Sequence, residues 1–126
     1  MITLIDSSAW IEATRKDGDP ETTKEVTILL ETSQAAMTEP VWMEVYRGLN
    51  GKKENARFVS ARALCHWLHF DAECWEEATQ VGRLCLRSGL NIPLGDILVF
   101  SCAERHGVDL LERDRHFAML RKIGRP

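Results

Sequence analysis

The sequence contains no apolar stretch that approaches the ~20 residues needed for a membrane-spanning helix. Its first residues include no basic segment ahead of an apolar run, and an acidic residue, Asp6, follows at once. A secretory signal peptide has a basic start and a longer apolar core. These absences predict a cytoplasmic protein that does not associate with membranes.

Cysteine is scarce and lacks the spacing of a metal site. The four cysteines are nine, eleven and seventeen residues apart, so no C-x-x-C pair exists. His66 and His69 lie beside Cys65, but the segment alternates as a strand does, which places the two rings on opposite faces. The sequence therefore favours reduced, mostly buried cysteines over a zinc site.

Neither sign of charge is in large excess. The net charge of −3 and the isoelectric point near 5.8 give no general signal for nucleic-acid binding. Basic residues are nevertheless concentrated at 47–62, with five against one acid, and at 105–125, with six against three. These segments are compatible with a positively charged binding surface or with ordinary solvated side chains.

The chain has the length and composition of one domain, residues 1–126. It is 44% hydrophobic and 28% charged, which is typical of globular domains. Apolar runs predict strands at 2–5, 34–38, 65–70 and 108–111. Helical periodicity and caps predict helices at 9–16, 20–32, 40–49, about 52–64, 72–87 and 96–106, with a last turn at 117–120.

This alternation of strands and helices predicts the fold class. Strands separated by helices pair in parallel through right-handed crossovers, which gives a three-layer α/β domain. Ser7 or Ser8 is expected to cap the first helix, and Asp96 to begin the sixth.

Four acidic residues lie where a parallel sheet places its functional site. Asp6 follows the first predicted strand, Asp114 follows the fourth, Asp96 opens the helix before the fourth, and Glu44 lies on the third helix. If the first and fourth strands are neighbours, these carboxylates converge at one rim. Grouped carboxylates repel unless a cation neutralises them, and Mg²⁺ and Mn²⁺ prefer oxygen ligands. The constellation predicts metal-assisted phosphodiester hydrolysis.

Three of the four acids also have an ordinary interpretation, whereas Asp6 is harder to explain in that way because it directly follows a buried strand. Asp96 fits a helix cap, Glu44 an exposed helix residue, and Asp114 a solvated loop residue. No spacing among the four is diagnostic without a fold.

Four segments, in order, resemble the motifs of PIN-domain nucleases. They are Ile5–Ile11 (IDSSAWI), Glu44–Gly48 (EVYRG), Gly95–Ala103 (GDILVFSCA) and Leu110–Phe117 (LLERDRHF). The resemblance extends from residue 2 to about residue 120. The compact format most resembles the VapC-type toxins of bacterial toxin–antitoxin pairs.

The resemblance implies a PIN-like α/β/α fold with a mostly parallel sheet of four to five strands. It also implies a Mg²⁺-dependent ribonuclease, with Mn²⁺ as a possible substitute. Asp6, Glu44, Asp96 and Asp114 would be its catalytic and metal-binding quartet, with Asp6 and Asp96 as direct ligands. Ser8 would orient Asp6 or a water molecule. The implied partners are an RNA substrate, a VapB-type antitoxin that covers the acidic groove, and a second copy in a homodimer.

Basic residues near these acids are candidates for phosphate contacts, because charge-assisted donors beside an acidic site hold a nucleic-acid strand. The candidates are Arg47, Arg113, Arg115 and His116.

The sequence departs from the family pattern in several places. Ser7 replaces the usual threonine, and His116 replaces an acid that some members use for a second metal. Glu112 replaces a small polar residue and either adds a fifth carboxylate or points to solvent. The chain end leaves little room for a fifth strand.

Other acidic-pocket families fit the sequence less well. A receiver domain could use Asp71 as its phosphoacceptor, but the paired acids after the first strand and the late lysine before proline are missing. A haloacid-dehalogenase-like phosphatase needs an aspartate at position 8, where this chain has Ser8. A non-catalytic PIN-like module and a housekeeping RNA-processing PIN nuclease remain as alternatives.

Overall fold

The computed structural model describes residues 1–123, within which four strands alternate with seven helices. The strands are β1 (Thr3–Ile5), β2 (Ala35–Met37), β3 (His66–Trp67) and β4 (Asp109–Leu111). The helices are α1 (Ser7–Thr14), α2 (Pro20–Glu31), α3 (Glu39–Gly48), α4 (Lys52–Arg62), α5 (Ala72–Arg87), α6 (Leu94–His106) and α7 (His116–Lys122). The predicted three-layer α/β/α fold is confirmed.

The four strands form one parallel sheet in the order β3-β2-β1-β4. The central strand β1 pairs with β4 from Thr3 opposite Asp109 to Ile5 opposite Leu111. Just beyond this pair, the Asp6 N–H donates to the Leu111 carbonyl at 2.9 Å. The segments that follow β1 and β4 therefore emerge side by side at one edge of the sheet.

Aspartates cap three of the helices. Asp6 caps α1 by accepting the Ser8 N–H, so the expectation that Ser7 or Ser8 is the cap is wrong. The cap falls earlier because β1 turns directly into α1. Asp19 caps α2 by accepting the Thr22 N–H, and Asp71 caps α5 by accepting the Cys74 N–H. The capping role explains why an acid, Asp71, follows β3, so a phosphoacceptor function is not needed to explain it.

Helix α6 begins two residues earlier than predicted. The Pro93 carbonyl accepts the N–H groups of Asp96 at 3.1 Å and Ile97 at 3.3 Å, so the helix starts at Leu94. Asp96 therefore lies inside the first turn, and the expectation that it begins the helix is wrong. Strand β3 is also shorter than predicted, because pairing with β2 extends over only two residues.

The core encloses the central strands. Leu4 and Ile5 of β1 and all three residues of β2 are fully buried. Trp10 of α1 meets Phe58 of α4 edge to face, with ring centroids 5.2 Å apart. Each such buried side chain contributes about 1.5–3 kcal/mol, which fixes α1 and the end of β1 in place. Within residues 1–123, none of the helices has the length and apolar character needed to cross a membrane.

Candidate active site

A pocket of about 490 Å³ opens where β1 and β4 end. All four predicted acids line it, together with five other residues. The lining residues are Asp6, Ser7, Ser8, Ile11, Glu44, Arg47, Gly48, Asp96 and Asp114. The acids come from four separate segments: the β1–α1 junction, α3, α6 and the loop after β4. The structure therefore brings the predicted quartet together.

Asp6 is the most enclosed of these carboxylates, with 3% of the residue exposed. Its Oδ2 accepts the Ser8 N–H at 3.0 Å and the Ser8 hydroxyl at 2.6 Å. Burial raises the pKa of Asp6, the Ser8 hydrogen bonds oppose that rise, and the Glu44 charge adds to it. The Ser8 hydroxyl also accepts the Arg113 main-chain N–H at 2.8 Å, which connects Asp6 to the loop after β4.

Asp96 and Asp114 share one imidazole. His116 Nδ1 lies 2.9 Å from Asp96 Oδ2 and 2.6 Å from Asp114 Oδ1, and the His116 main-chain N–H donates to Asp114 Oδ1. Burial and the charges of Asp114 and Asp6 raise the pKa of Asp96 to about 6, although His116 partly offsets them. The three side chains place their ligand atoms within 4.8 Å of one another.

Glu44 reaches the pocket from α3, where the residue is exposed. Its carboxylate passes close to the start of α6: a side-chain carbon at Gly95 would stand 3.5 Å from Glu44 Oε2. Glu44 also opposes ionisation of Asp6 electrostatically. The side chain therefore belongs to the same charge cluster as the aspartates, although it is more accessible to solvent.

The predicted basic residues are only partly brought to the pocket. Arg47 lines its wall and His116 bridges two of its acids. The Arg113 guanidinium turns away, because its Nε donates to Thr22 Oγ1 at 2.8 Å and its Nη2 pairs with Glu25 of α2 at 3.1 Å. Arg115 is exposed and does not line the pocket.

Glu112 does not add a fifth carboxylate to the pocket wall. Its Oε2 pairs with Arg121 of α7 at 2.9 Å, and its Oε1 accepts the Asp114 main-chain N–H at 3.2 Å. Arg121 and Glu112 thus support the loop that presents Asp114. Sequence reasoning missed this role of Arg121, because nothing in the local pattern connects α7 with that loop.

The donor set of the pocket fits a hard divalent cation. Four carboxylates meet there, and burial and neighbouring negative charge raise the pKa values of Asp6 and Asp96. The Ser7 hydroxyl on the pocket wall is buried without a hydrogen-bond partner among the described residues. A cation with oxygen ligands and bound water would relieve the repulsion and give such a hydroxyl a partner. The pocket residues include no thiol, which argues against a soft metal at this position.

Known proteins resemble this chain in sequence and in fold. The family model described as "PIN domain" matches residues 3–123. A VapC ribonuclease of Mycobacterium bovis and Ribonuclease VapC11 of Mycobacterium tuberculosis are each 32% identical over 127 aligned positions, which cover 95% of this chain and 92% of the relative.

Solved structures share the fold at lower identity. VapBC2 from Rickettsia felis, bound to a promoter DNA fragment, matches with a TM-score of 0.79 at 18% identity, over 94% of this chain and 92% of its own. FitAcB from Neisseria gonorrhoeae has a TM-score of 0.79 at 21% identity, over 98% and 95%. VapC20 of Mycobacterium tuberculosis, described as a sarcin-ricin-loop-cleaving toxin, has a TM-score of 0.70 at 18% identity, over 98% and 99%.

Proposed function

The chain belongs to the PIN-domain family, and we propose that it is a metal-dependent endoribonuclease, the VapC-type toxin of a type II toxin–antitoxin pair. The observation that carries this proposal is the convergence of Asp6, Glu44, Asp96 and Asp114 on one pocket from four distant segments. The ribonuclease names of relatives that are 32% identical support the reaction class.

Mg²⁺, with Mn²⁺ as a substitute, is the proposed cofactor. Asp6 and Asp96 would contact the cation directly, and Glu44 and Asp114 would complete the acidic set. When bound, a divalent cation stabilises negative charge on phosphoryl oxygens and makes a water molecule more acidic. Three of the carboxylates are held by neighbouring side chains, because Ser8 hydrogen-bonds to Asp6 and His116 connects Asp96 with Asp114.

Basic residues in and around the pocket are proposed to hold the acids and the substrate. His116 Nδ1 lies between Asp96 Oδ2 and Asp114 Oδ1, and an N–H group at this position would lower the repulsion between these two oxygens. Arg47, on the pocket wall, is the first candidate to bind an RNA phosphate by charge-assisted hydrogen bonds. Exposed Arg115 is a second candidate, whereas the Arg113 guanidinium is already engaged by α2.

The proposed partners are a VapB-type antitoxin and a second copy of the chain. The structures of similar fold include VapBC2 from Rickettsia felis, which supports a cognate antitoxin. An open pocket with four carboxylates is electrostatically suited to a basic side chain. Such a side chain from the antitoxin would neutralise the acids and exclude the metal and the RNA.

Cleavage of total RNA by the purified, antitoxin-free protein tests the proposal. Wild-type protein should cut with Mg²⁺ or Mn²⁺ and stop cutting in EDTA. Asp96→Asn should be inactive, whereas Asp109→Asn, an exposed aspartate outside the pocket, should cut normally. Cleavage that persists in EDTA, or equal cleavage by the two variants, would contradict the proposed site.

A further inference from the structure

A second group of metal-ligating side chains lies between α5 and α6 and shares no residue with the carboxylate pocket. It consists of Cys74 in the first turn of α5 and Cys102 and His106 near the end of α6. The two α6 residues are four positions apart, so they lie on one face of that helix. Packing against α5 brings the Cys74 thiol to them, and the three ligand atoms lie within 4.8 Å of one another.

All three side chains converge on the backbone that follows β3. The Cys74 Sγ lies 3.8 Å from the His69 carbonyl oxygen, and the Cys102 Sγ lies 4.0 Å from the Leu68 carbonyl oxygen. His106 Nε2 lies 3.1 Å from the same His69 oxygen, which orients the ring. Both thiols are completely buried, whereas His106 is exposed. The imidazole therefore forms the accessible side of the cluster.

The chemistry of this donor set differs from that of the carboxylate pocket. Two sulfurs and one nitrogen are the ligands of Zn²⁺ and related soft cations, whereas Mg²⁺ and Mn²⁺ prefer oxygen. Burial raises the pKa of Cys102 to about 12 and also raises the pKa of Cys74, so both thiols are protonated without a metal. Binding would release these two protons to solvent, and two thiolates would balance the charge of a divalent cation.

We propose that Cys74, Cys102 and His106 form a binding site for a soft divalent cation of the Zn²⁺ type. Three protein ligands leave a fourth position for water, as in zinc sites with three side-chain ligands. The cation would join α5 to the end of α6, the helix whose first turn carries Asp96. It would thereby brace one wall of the carboxylate pocket without touching that pocket.

The cysteine pattern of the sequence does not reveal this site. Cys74 and Cys102 are 28 positions apart (102 − 74), and only the packing of α5 on α6 makes them neighbours. The sequence-based preference against zinc rested on local spacing, which is informative only for ligands supplied by one short segment.

Titration with Co²⁺ tests the site, because cobalt bound by thiolates has a charge-transfer absorption that oxygen ligands do not produce. The reduced full-length protein is titrated in excess Mg²⁺, which occupies carboxylate sites. We expect the absorption to saturate at one Co²⁺ per chain and to disappear when Zn²⁺ is added. Cys74→Ser and Cys102→Ser should lose it, and Cys85→Ser, a buried cysteine on α5 outside the cluster, should retain it.

His106→Gln provides a second test at an exposed position, where a substitution does not disturb the core. This variant should bind Co²⁺ more weakly than the wild type. A wild-type protein without the absorption, or absorption and affinity unchanged in the Cys74, Cys102 and His106 variants, would overturn the proposal. Neither result bears on RNA cleavage, so this proposal and the proposed ribonuclease function fail independently.

Discussion

Ser8 joins two separate segments of the candidate active site through one hydroxyl group. The hydroxyl donates to Asp6 Oδ2 at 2.6 Å and accepts the Arg113 main-chain N–H at 2.8 Å. It therefore fixes the orientation of the buried carboxylate relative to the loop that carries Asp114. In our account, Ser8 is a positioning residue that acts through Asp6.

Ser8→Ala should raise the Mg²⁺ concentration needed for half-maximal RNA cleavage by about 10- to 100-fold, the usual cost of losing a group that orients a metal ligand. Ser8→Thr keeps the hydroxyl and should restore a value near that of the wild type. Cleavage rates measured over a range of Mg²⁺ concentrations check this. Identical half-saturating concentrations for the alanine and threonine variants would remove Ser8 from this role.

Arg47 and Arg113 should differ in their contribution to RNA binding. Arg47 lines the pocket, whereas the Arg113 guanidinium is held by Thr22 and Glu25. These variants are made in an Asp96→Asn background, which prevents cleavage. There, Arg47→Gln should reduce the magnitude of the slope of log affinity against log salt concentration by about 1, the value expected for the loss of one phosphate contact. Arg113→Gln should leave the slope unchanged. Fluorescence anisotropy of labelled RNA at several salt concentrations measures both slopes. A smaller slope in Arg113→Gln together with an unchanged slope in Arg47→Gln would contradict the assignment.

Among the helices and strands, most of the fold could be predicted because its signals are local. Asp19 before Pro20 marks the start of α2, and Gly107, with a left-handed φ of 65°, ends α6 as expected. The start of α6 could not be predicted, since the Gly95–Asp96 pair imitates a helix cap while Pro93 actually begins the turn. The length of β3 depends on its partner strand, which no local pattern reveals.

Glu39 connects the start of α3 to the segment after β3. Its carboxylate accepts the Trp67 Nε1–H at 2.8 Å and the Phe70 main-chain N–H at 2.7 Å, and it lies 2.9 Å from His69 Nδ1. Burial opposes ionisation, but these hydrogen bonds outweigh it and lower the pKa of Glu39 to about 2. The ionised side chain therefore stabilises the junction of the two elements.

Glu39→Gln should destabilise the protein at neutral pH by about 1 kcal/mol or less, because the side chain is 47% exposed and solvent screens its charge. The folded pKa lies below the ordinary 4.5, so the stabilisation is complete above about pH 4.5 and is lost as the pH falls towards about 2. Urea unfolding at several pH values should show that the difference in free energy of unfolding between Glu39→Gln and the wild type becomes smaller as the pH falls. Glu31→Gln, at an exposed position, is the control. A difference in free energy of unfolding between Glu39→Gln and the wild type that grows as the pH falls would contradict the explanation.

At the scale of the whole molecule, the site depends on sheet order. The positions of Asp6 and Asp114 after predicted strands were visible in the sequence, but their proximity required β1 and β4 to be neighbours. The sequence left that pairing as a condition of the argument. The outward turn of Arg113 depends on its contacts with Thr22 and Glu25 of α2, which the sequence does not encode locally.

Bringing four carboxylates together should make the metal-free fold less stable and its stability sensitive to metal. Burial, Asp114 and Asp6 oppose the charge of Asp96, so Asp96→Asn should raise the free energy of unfolding in EDTA at neutral pH by about 1–3 kcal/mol. Mg²⁺ at about 100 times its Kd should stabilise the wild type by about 2.7 kcal/mol. The variant should respond much less. Thermal unfolding with and without Mg²⁺ measures this, and an equal response of both proteins would contradict a shared metal site.

The most direct test of the central claim is the rate of RNA cleavage as a function of Mn²⁺ concentration in a matched set of variants. Our account predicts that Asp6→Asn, Glu44→Gln, Asp96→Asn and Asp114→Asn each abolish cleavage or shift its metal dependence to higher concentration. Asp109→Asn should match the wild type, because its side chain lies outside the pocket. Wild-type metal dependence and rate in any of the four pocket variants would show that its carboxylate does not belong to the site.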